Sequence, residues 1–266
     1  MDTLPPTGID AEDLMHFAAD VADKARRLSL AGFRQRLDVK LKEDHSPVTR
    51  VDREVETLLR ESIRQRWPDH GIFGEEHGKN NVGARCVWTL DPIDGTRSFI
   101  SGWPLWGTLI AFSCDDTPVF GLVDMPVLGE RWMGMKGRGA WLNGHACRSS
   151  GCTALGQATL YATSPDIFQG AERDAFERVS AAVAGRRFGG DCYSYALLAS
   201  GHVDLVVEAD LKPYDYLALV PVIEAAGGVI SDWQGNALGL GSGGRVVAAA
   251  SPELHRQALD LLSEVG

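Results

Sequence analysis

The chain has 266 residues, 44% hydrophobic and 23% charged, with a net charge of −10. That length can bury a full core, and the surplus of acids argues against nucleic acid as a principal partner. No apolar run approaches the ~20 residues of a membrane span. The N-terminal stretch lacks the basic and apolar segments of a secretion signal, so a cytoplasmic protein with no membrane partner is expected. The cysteines number five and include no CxxC pair, which reads as reduced thiols rather than a disulfide or zinc framework.

Asp10 can cap a first helix, whose apolar residues Leu14, Phe17, Val21, Ala25 and Leu28 keep helical spacing. Residues 39–49 lose that period and read as a hairpin or loop. A second helix carries Val51, Val55, Leu59 and Ile63 on one face and stops at Trp67-Pro68. Asp52 lies in its first turn, where the helix dipole favours a negative charge, and that alone accounts for it. Residues 72–76 form a short strand ending in Glu75 and Glu76, followed by a polar, mobile loop over 77–85.

Residues 86–90 form an apolar, β-rich strand running into DPIDGTRSF at 91–99. Pro92 has no N–H for a sheet, so the strand is expected to end at Asp91. Gly95 allows a tight turn, and Thr96 is suited to cap a short helix through Ile100. Two carboxylates and several N–H groups thus meet where a strand ends and a helix begins, an arrangement fit for hard cations and for phosphate. Strands over 108–112, 119–123 and 131–135 follow, with a tight turn at Asn143-Gly144, as successive antiparallel members of one sheet.

Near residue 150 the pattern changes to strand–helix alternation. Strands are expected over 160–163, 203–207 and 246–250, and helices over 173–184, 193–200, 216–226 and 252–262. The chain therefore divides into an N-terminal α+β half (1–147) and a C-terminal α/β half (148–266). Asp215 opens a helix that is apolar all round, where an acid is costly unless capped, paired or bound to a cation. Pro221 inside that helix would cost about 3 kcal/mol in a regular interior, so a kink or break is expected.

Several stretches together resemble the inositol monophosphatase family of Mg²⁺-dependent, lithium-sensitive phosphatases: SPVTRVD at 46–52, GEE at 74–76, DPIDGT at 91–96 and YD…EAAGG at 214–228. The resemblance runs along nearly the whole chain. It implies a five-layer αβαβα sandwich of the inositol monophosphatase and fructose-1,6-bisphosphatase type, assembled as a homodimer. It also implies that Glu75, Asp91 and the Ile93 carbonyl hold one Mg²⁺ and that Asp91, Asp94 and Asp215 hold a second. Some family schemes add a third, weaker ion at Glu76. By the same resemblance Gly95 and Thr96 offer N–H groups to phosphate, while Glu75 and the Asp52–Thr96 pair orient the attacking water. Asp44 could approach from the preceding loop. Two divalent ions about 3.5–4 Å apart would offset these acids and clamp both ends of an in-line displacement.

Within the family, GDCYSYALLASGHVDLVVE and LKPYDYLALVPVIEAAGG look like the histidinol-phosphate phosphatases of histidine biosynthesis. Asp191 and Glu208 occupy the family's leaving-group positions, and acids there suit a cationic alcohol. Asp191 also fits the cap of the helix beginning near Tyr193. Alternative substrates are an inositol phosphate, a sugar bisphosphate or a 3′-phosphonucleotide. Two rival classes are a phosphatase that forms a phosphoaspartate and a non-catalytic metal-binding module. The first needs one residue between its acids, whereas two separate Asp91 from Asp94.

Overall fold

The computed structural model describes residues 8–36, 39–41 and 47–263, so Asp44 lies outside the described residues. Helix α1 (Ala11–Gly32) starts as expected, with the Asp10 carboxylate accepting the Glu12 and Asp13 N–H groups at 3.0 Å. Strands β1 (Lys40–Leu41) and β2 (Pro47–Val48) pair antiparallel, within the stretch read as a hairpin or loop. Helix α2 (Arg50–Arg66) opens on a capping box in which Asp52 accepts the Thr49 N–H at 2.9 Å.

The first sheet has eight strands: β3 (Gly71–Gly74), β4 (Gly78–Asn80), β5 (Cys86–Asp94), β6 (Gly107–Cys114), β7 (Thr117–Met125), β8 (Glu130–Met135), β9 (Gly139–Leu142) and β10 (His145–Ala146). Their order is β10-β9-β8-β7-β6-β5-β3-β4, and only the β3–β5 pair is parallel. Short helix α3 (Thr96–Ser101) follows β5.

Three expectations need correction in this half. Part of the 77–85 loop is an edge strand, β4, folded back on β3. Strand β5 does not end at Asp91; it resumes pairing at Asp94 after a register shift, so Pro92 sits in a bulge, where no ladder N–H is required of it. The Pro92 carbonyl is instead satisfied by the Thr108 hydroxyl at 2.9 Å. Cys86 and Cys114 face each other across β5 and β6 and are joined as a disulfide, leaving three free cysteines rather than five.

The second sheet is mixed. Its strands are β11 (Thr159–Ala162), β12 (Gly185–Phe188), β13 (Leu205–Glu208), β14 (Val229–Asp232) and β15 (Val246–Ala249), in the order β12-β11-β13-β15-β14. Around it run α4 (Ala171–Ala182), α5 (Cys192–Ala199), α6 (Pro213–Tyr216), α7 (Leu219–Ala225) and α8 (Pro252–Ser263). The helix expected over 216–226 is split into α6 and α7 around Leu217 and Ala218. Pro221 thereby falls in the first turn of α7, where an N–H has no intrahelical acceptor to lose.

Period-two alternation sorts the strand residues into three cores. Ile110 and Phe112 of β6 face α1 and α2, whereas Leu109 and Ala111 face the α5 and α7 layer. Val206 and Ala248 meet that middle layer from the second sheet, while Leu205, Val207 and Val247 pack under α4 and α8. The result is the five-layer αβαβα sandwich. Its centre is tight because Gly121 and Gly134 lie against α7. A Cβ on Gly134 would meet the Val222 Cα at 2.3 Å, and one on Gly121 would meet the Ala218 carbonyl oxygen at 1.9 Å.

Candidate functional site

The acids that lie far apart in sequence come together where β5 leaves the first sheet and α5 and α6 begin. Carboxylate oxygens of Asp91, Asp94 and Asp215 lie within 4.8 Å of one another. Each acid is steadied by a backbone donor: Ile93 N–H to Asp91 at 3.0 Å, Cys192 N–H to Asp94 at 2.7 Å, and Lys212 N–H to Asp215 at 2.7 Å. One oxygen of each acid is therefore committed to the main chain.

Asp94 caps α5 from ninety-eight residues away in sequence, so the helix dipole favours its charge. Lys212 and Pro213 shape the α6 turn that presents Asp215.

Their electrostatics is that of acids short of a counter-charge. Burial first, then Glu75, Asp94 and Asp215, push Asp91 well above the ordinary carboxylate range. Asp94 is pushed up to about 7 by burial and by Asp215. Asp215 also reaches about 7, chiefly through burial and against the pull of the Lys212 N–H. Hard oxygen donors crowded in this way fit a hard divalent cation such as Mg²⁺, which would restore all of them to the charged form.

Glu75 follows β3, its N–H bonded to the Leu90 carbonyl at 3.2 Å, and its carboxyl acts directly on Asp91. Glu76 is nearly sealed from solvent and meets Arg53 of α2 at 3.9 Å. Ile93 accepts the Thr96 hydroxyl at 3.1 Å, which leaves its carbonyl one lone pair. Thr96 also lies 3.5 Å from Asp52, at the outer limit of a hydrogen bond. Asp52 serves its helix cap and approaches the site with its other oxygen. Gly95, not Thr96, is the residue preceding α3, in a left-handed conformation with φ 81°. A side chain there would press on Asp191 Oδ2 at 2.9 Å, so glycine is required twice over.

Asp191 departs from one expectation. It precedes α5, but its side chain makes no cap bond; instead it accepts the Ser98 hydroxyl at 3.3 Å. Its own backbone has φ 46°, a region non-glycine residues rarely occupy, and such strain collects at functional sites. Burial and nearby Asp94 push it up to about 7. Glu208 ends β13, accepts the Thr163 N–H at 2.6 Å, and is pushed up to about 8 mainly by burial.

Of these groups Glu75, Gly95, Thr96, Ser98 and Asp191 line a cleft of about 1090 Å³. Its walls carry Glu75, Asp166, Glu172, Asp191, Asp210 and Asp232 against Arg97 and Arg245, and Arg245 is already paired with Glu172 at 2.7 Å.

A supporting pair that the motifs do not reveal is Glu56–Arg60. Glu56 is fully buried and accepts the Glu76 and His77 N–H groups at 2.6 and 3.1 Å. Arg60 donates to Glu56 at 2.6 Å and to the Gly78 carbonyl. Together they fix the turn that presents Glu75. The available signal is spacing, since Asp52, Glu56 and Arg60 recur every four residues beside the apolar stripe of α2.

The chain is similar to known proteins along nearly all of its length. The model of the inositol monophosphatase family matches residues 10–266. The bifunctional phosphatase IMPL2 of Arabidopsis thaliana is 45% identical, covering 97% of this chain and 78% of that protein. A histidinol-phosphatase of Chlorobaculum parvum is 35% identical, covering 83% and 86%. Among solved structures, an inositol monophosphatase from Zymomonas mobilis is similar with a TM-score of 0.87 and 43% identity, over 96% of this chain and 99% of that one.

Proposed function

The chain belongs to the inositol monophosphatase family and is a phosphoric monoester hydrolase, and on that premise we propose that it converts L-histidinol phosphate and water to L-histidinol and phosphate. The observation that carries this reading is the side chain of Asp191. It is withheld from the helix it precedes and faces the cleft beside Gly95 and Ser98. An acid at that position, held by the Ser98 hydroxyl and not by the helix, favours an alcohol bearing positive charge. The likeness to the histidinol-phosphatase of Chlorobaculum parvum supports the same substrate.

The roles follow from the donors available. Glu75, Asp91 and the Ile93 carbonyl would hold one Mg²⁺, and Asp91, Asp94 and Asp215 a second. Glu76 is engaged by Arg53, so the reading uses two ions and not a third. Bound Mg²⁺ supplies the positive charge that offsets these acids and the Lewis acidity that prepares water for attack. Thr96, bonded to Ile93 and near Asp52, orients the attacking water and passes its proton on, with Glu75 as the other acceptor. Gly95 and Thr96 turn their N–H groups to the phosphate. Residues 1–147 thus carry most of the hydrolytic acids, and residues 148–266 supply Asp215 and choose the alcohol. The same family likeness supports a homodimer.

The alternative is a neutral polyol phosphate, favoured by the 43% identity to the Zymomonas mobilis inositol monophosphatase. Phosphate release from histidinol phosphate and from inositol 1-phosphate, each with Mg²⁺ and then with chelator, tests both readings. Histidinol phosphate is expected to be the better substrate by kcat/KM, with activity lost on chelation. Preference for inositol 1-phosphate would replace the substrate, and Mg²⁺-independent hydrolysis would remove the mechanism.

A further inference from the structure

Next to the main cleft, and sharing Thr163, Asp191 and Asp210 with it, lies a smaller cavity of about 200 Å³. Its wall includes Tyr195 of α5 and Glu208 of β13, which are 3% and 1% exposed. Two atoms on these side chains have no hydrogen-bond partner among the described residues, the Tyr195 hydroxyl and Glu208 Oε2. Buried polar groups in folded proteins are nearly always paired, so two orphans on one small cavity are unusual. Packing does not require the hydroxyl, because phenylalanine would fill the same place in the apolar layer formed by α5 and α7. The cavity is also strongly one-signed. Asp94, Asp191, Glu208, Asp210 and Asp215 line it, with no lysine, arginine or histidine among the described residues of the lining, although Lys212 pairs with Asp210 from outside at 2.7 Å.

We propose that Tyr195 is a specificity-determining residue, whose hydroxyl and the free oxygen of Glu208 together receive the nitrogen-bearing end of a cationic amino-alcohol phosphate. A tyrosine hydroxyl has lone pairs to accept an N–H and one proton to give. Beside acids it can therefore accept from an azole or ammonium nitrogen and donate to a carboxylate, which balances both orphans at once. The acids supply attraction for positive charge, and the tyrosine supplies a fixed hydrogen-bond position that long-range attraction alone lacks. This inference rests on the substrate reading above and adds to it a residue that the sequence motifs did not single out.

The test compares wild type with Tyr195→Phe on histidinol phosphate and inositol 1-phosphate in Mg²⁺, alongside thermal melts of both proteins. The ratio of kcat/KM for the two esters is expected to fall about tenfold in the variant, mainly through a higher KM for histidinol phosphate. The melting temperature of the free variant should equal or exceed that of wild type, because an unpaired buried hydroxyl is lost. A tyrosine with a purely structural role would instead lower the melting temperature and leave the ratio unchanged, and that result overturns the proposal. Equal loss on both esters also overturns it while leaving the substrate reading intact. Wild-type enzyme that does not prefer histidinol phosphate overturns both.

Discussion

Asp191 shows how one residue can be assigned by what it declines to do. At the start of a helix, aspartate normally accepts N–H groups of the first turn. Here that need is met from another strand by Asp94, and Asp191 is left to the cleft in a backbone conformation that must be held by its surroundings. Replacement by asparagine keeps the shape and removes the charge. Asp191→Asn is expected to raise KM for histidinol phosphate about tenfold or more and KM for a neutral ester much less, as charge-assisted bonds are worth roughly 1.5–3 kcal/mol. Equal changes in steady-state kinetics on the two esters would sink the role. The clustered acids Asp91, Asp94 and Asp215 were legible in the sequence because each sits at a break in periodicity beside or close to a glycine or proline. Glu56, Tyr195 and Ser98 were not, because the neighbours that single them out lie 13 or more residues away, which no local pattern encodes.

The elements were legible where a hydrophobic period ran long, as in α1, α2, α4 and α8, and less so where pairing partners decided the outcome. Strand β5 passes through Pro92 because β6 tolerates a bulge there, and β4 exists because β3 offers it an edge. Strand β14 was missed, since four residues after Gly227-Gly228 carry too little period to stand out. Two predictions belong at this scale. Gly134→Ala would drive a methyl group into the backbone of α7, and should lower stability by about 1–3 kcal/mol or more in denaturant titration. An unchanged midpoint would mean that the sheet and helix are not in close contact. The disulfide gives the second. Denatured without reductant, the protein should show three reactive thiols, and five after reduction. Five thiols before reduction would restore the expectation of wholly reduced cysteines.

At the scale of the molecule, the site is a store of negative charge held between two sheets, and stability must respond to that. Asp94, Asp191 and Asp215 are each pushed up to about 7, against an ordinary value near 3.8. Between those limits the folded chain, free of metal, holds protons that the unfolded chain has released. Raising the pH through that window therefore favours unfolding. The melting temperature of chelated protein is expected to fall from pH 5.5 to 7.5, and Mg²⁺ should recover most of the loss by stabilising the deprotonated acids. A melting temperature that is flat or rising in chelator over that range would show that the acids are not mutually strained. Among the described residues no helix is long and apolar enough to cross a membrane.

The bond from the Cys192 N–H to Asp94 ties β5, which bears Asp91 and Asp94, to α5, which carries Tyr195 and directly follows Asp191. Its donor is main chain, so it is indifferent to which side chains that helix carries. Selectivity can then drift, or be engineered by randomising positions 191, 195 and 208, without disturbing the seam that keeps the chemistry in register. A library built on those positions should yield catalysts for new alcohols far more often than one built on β5.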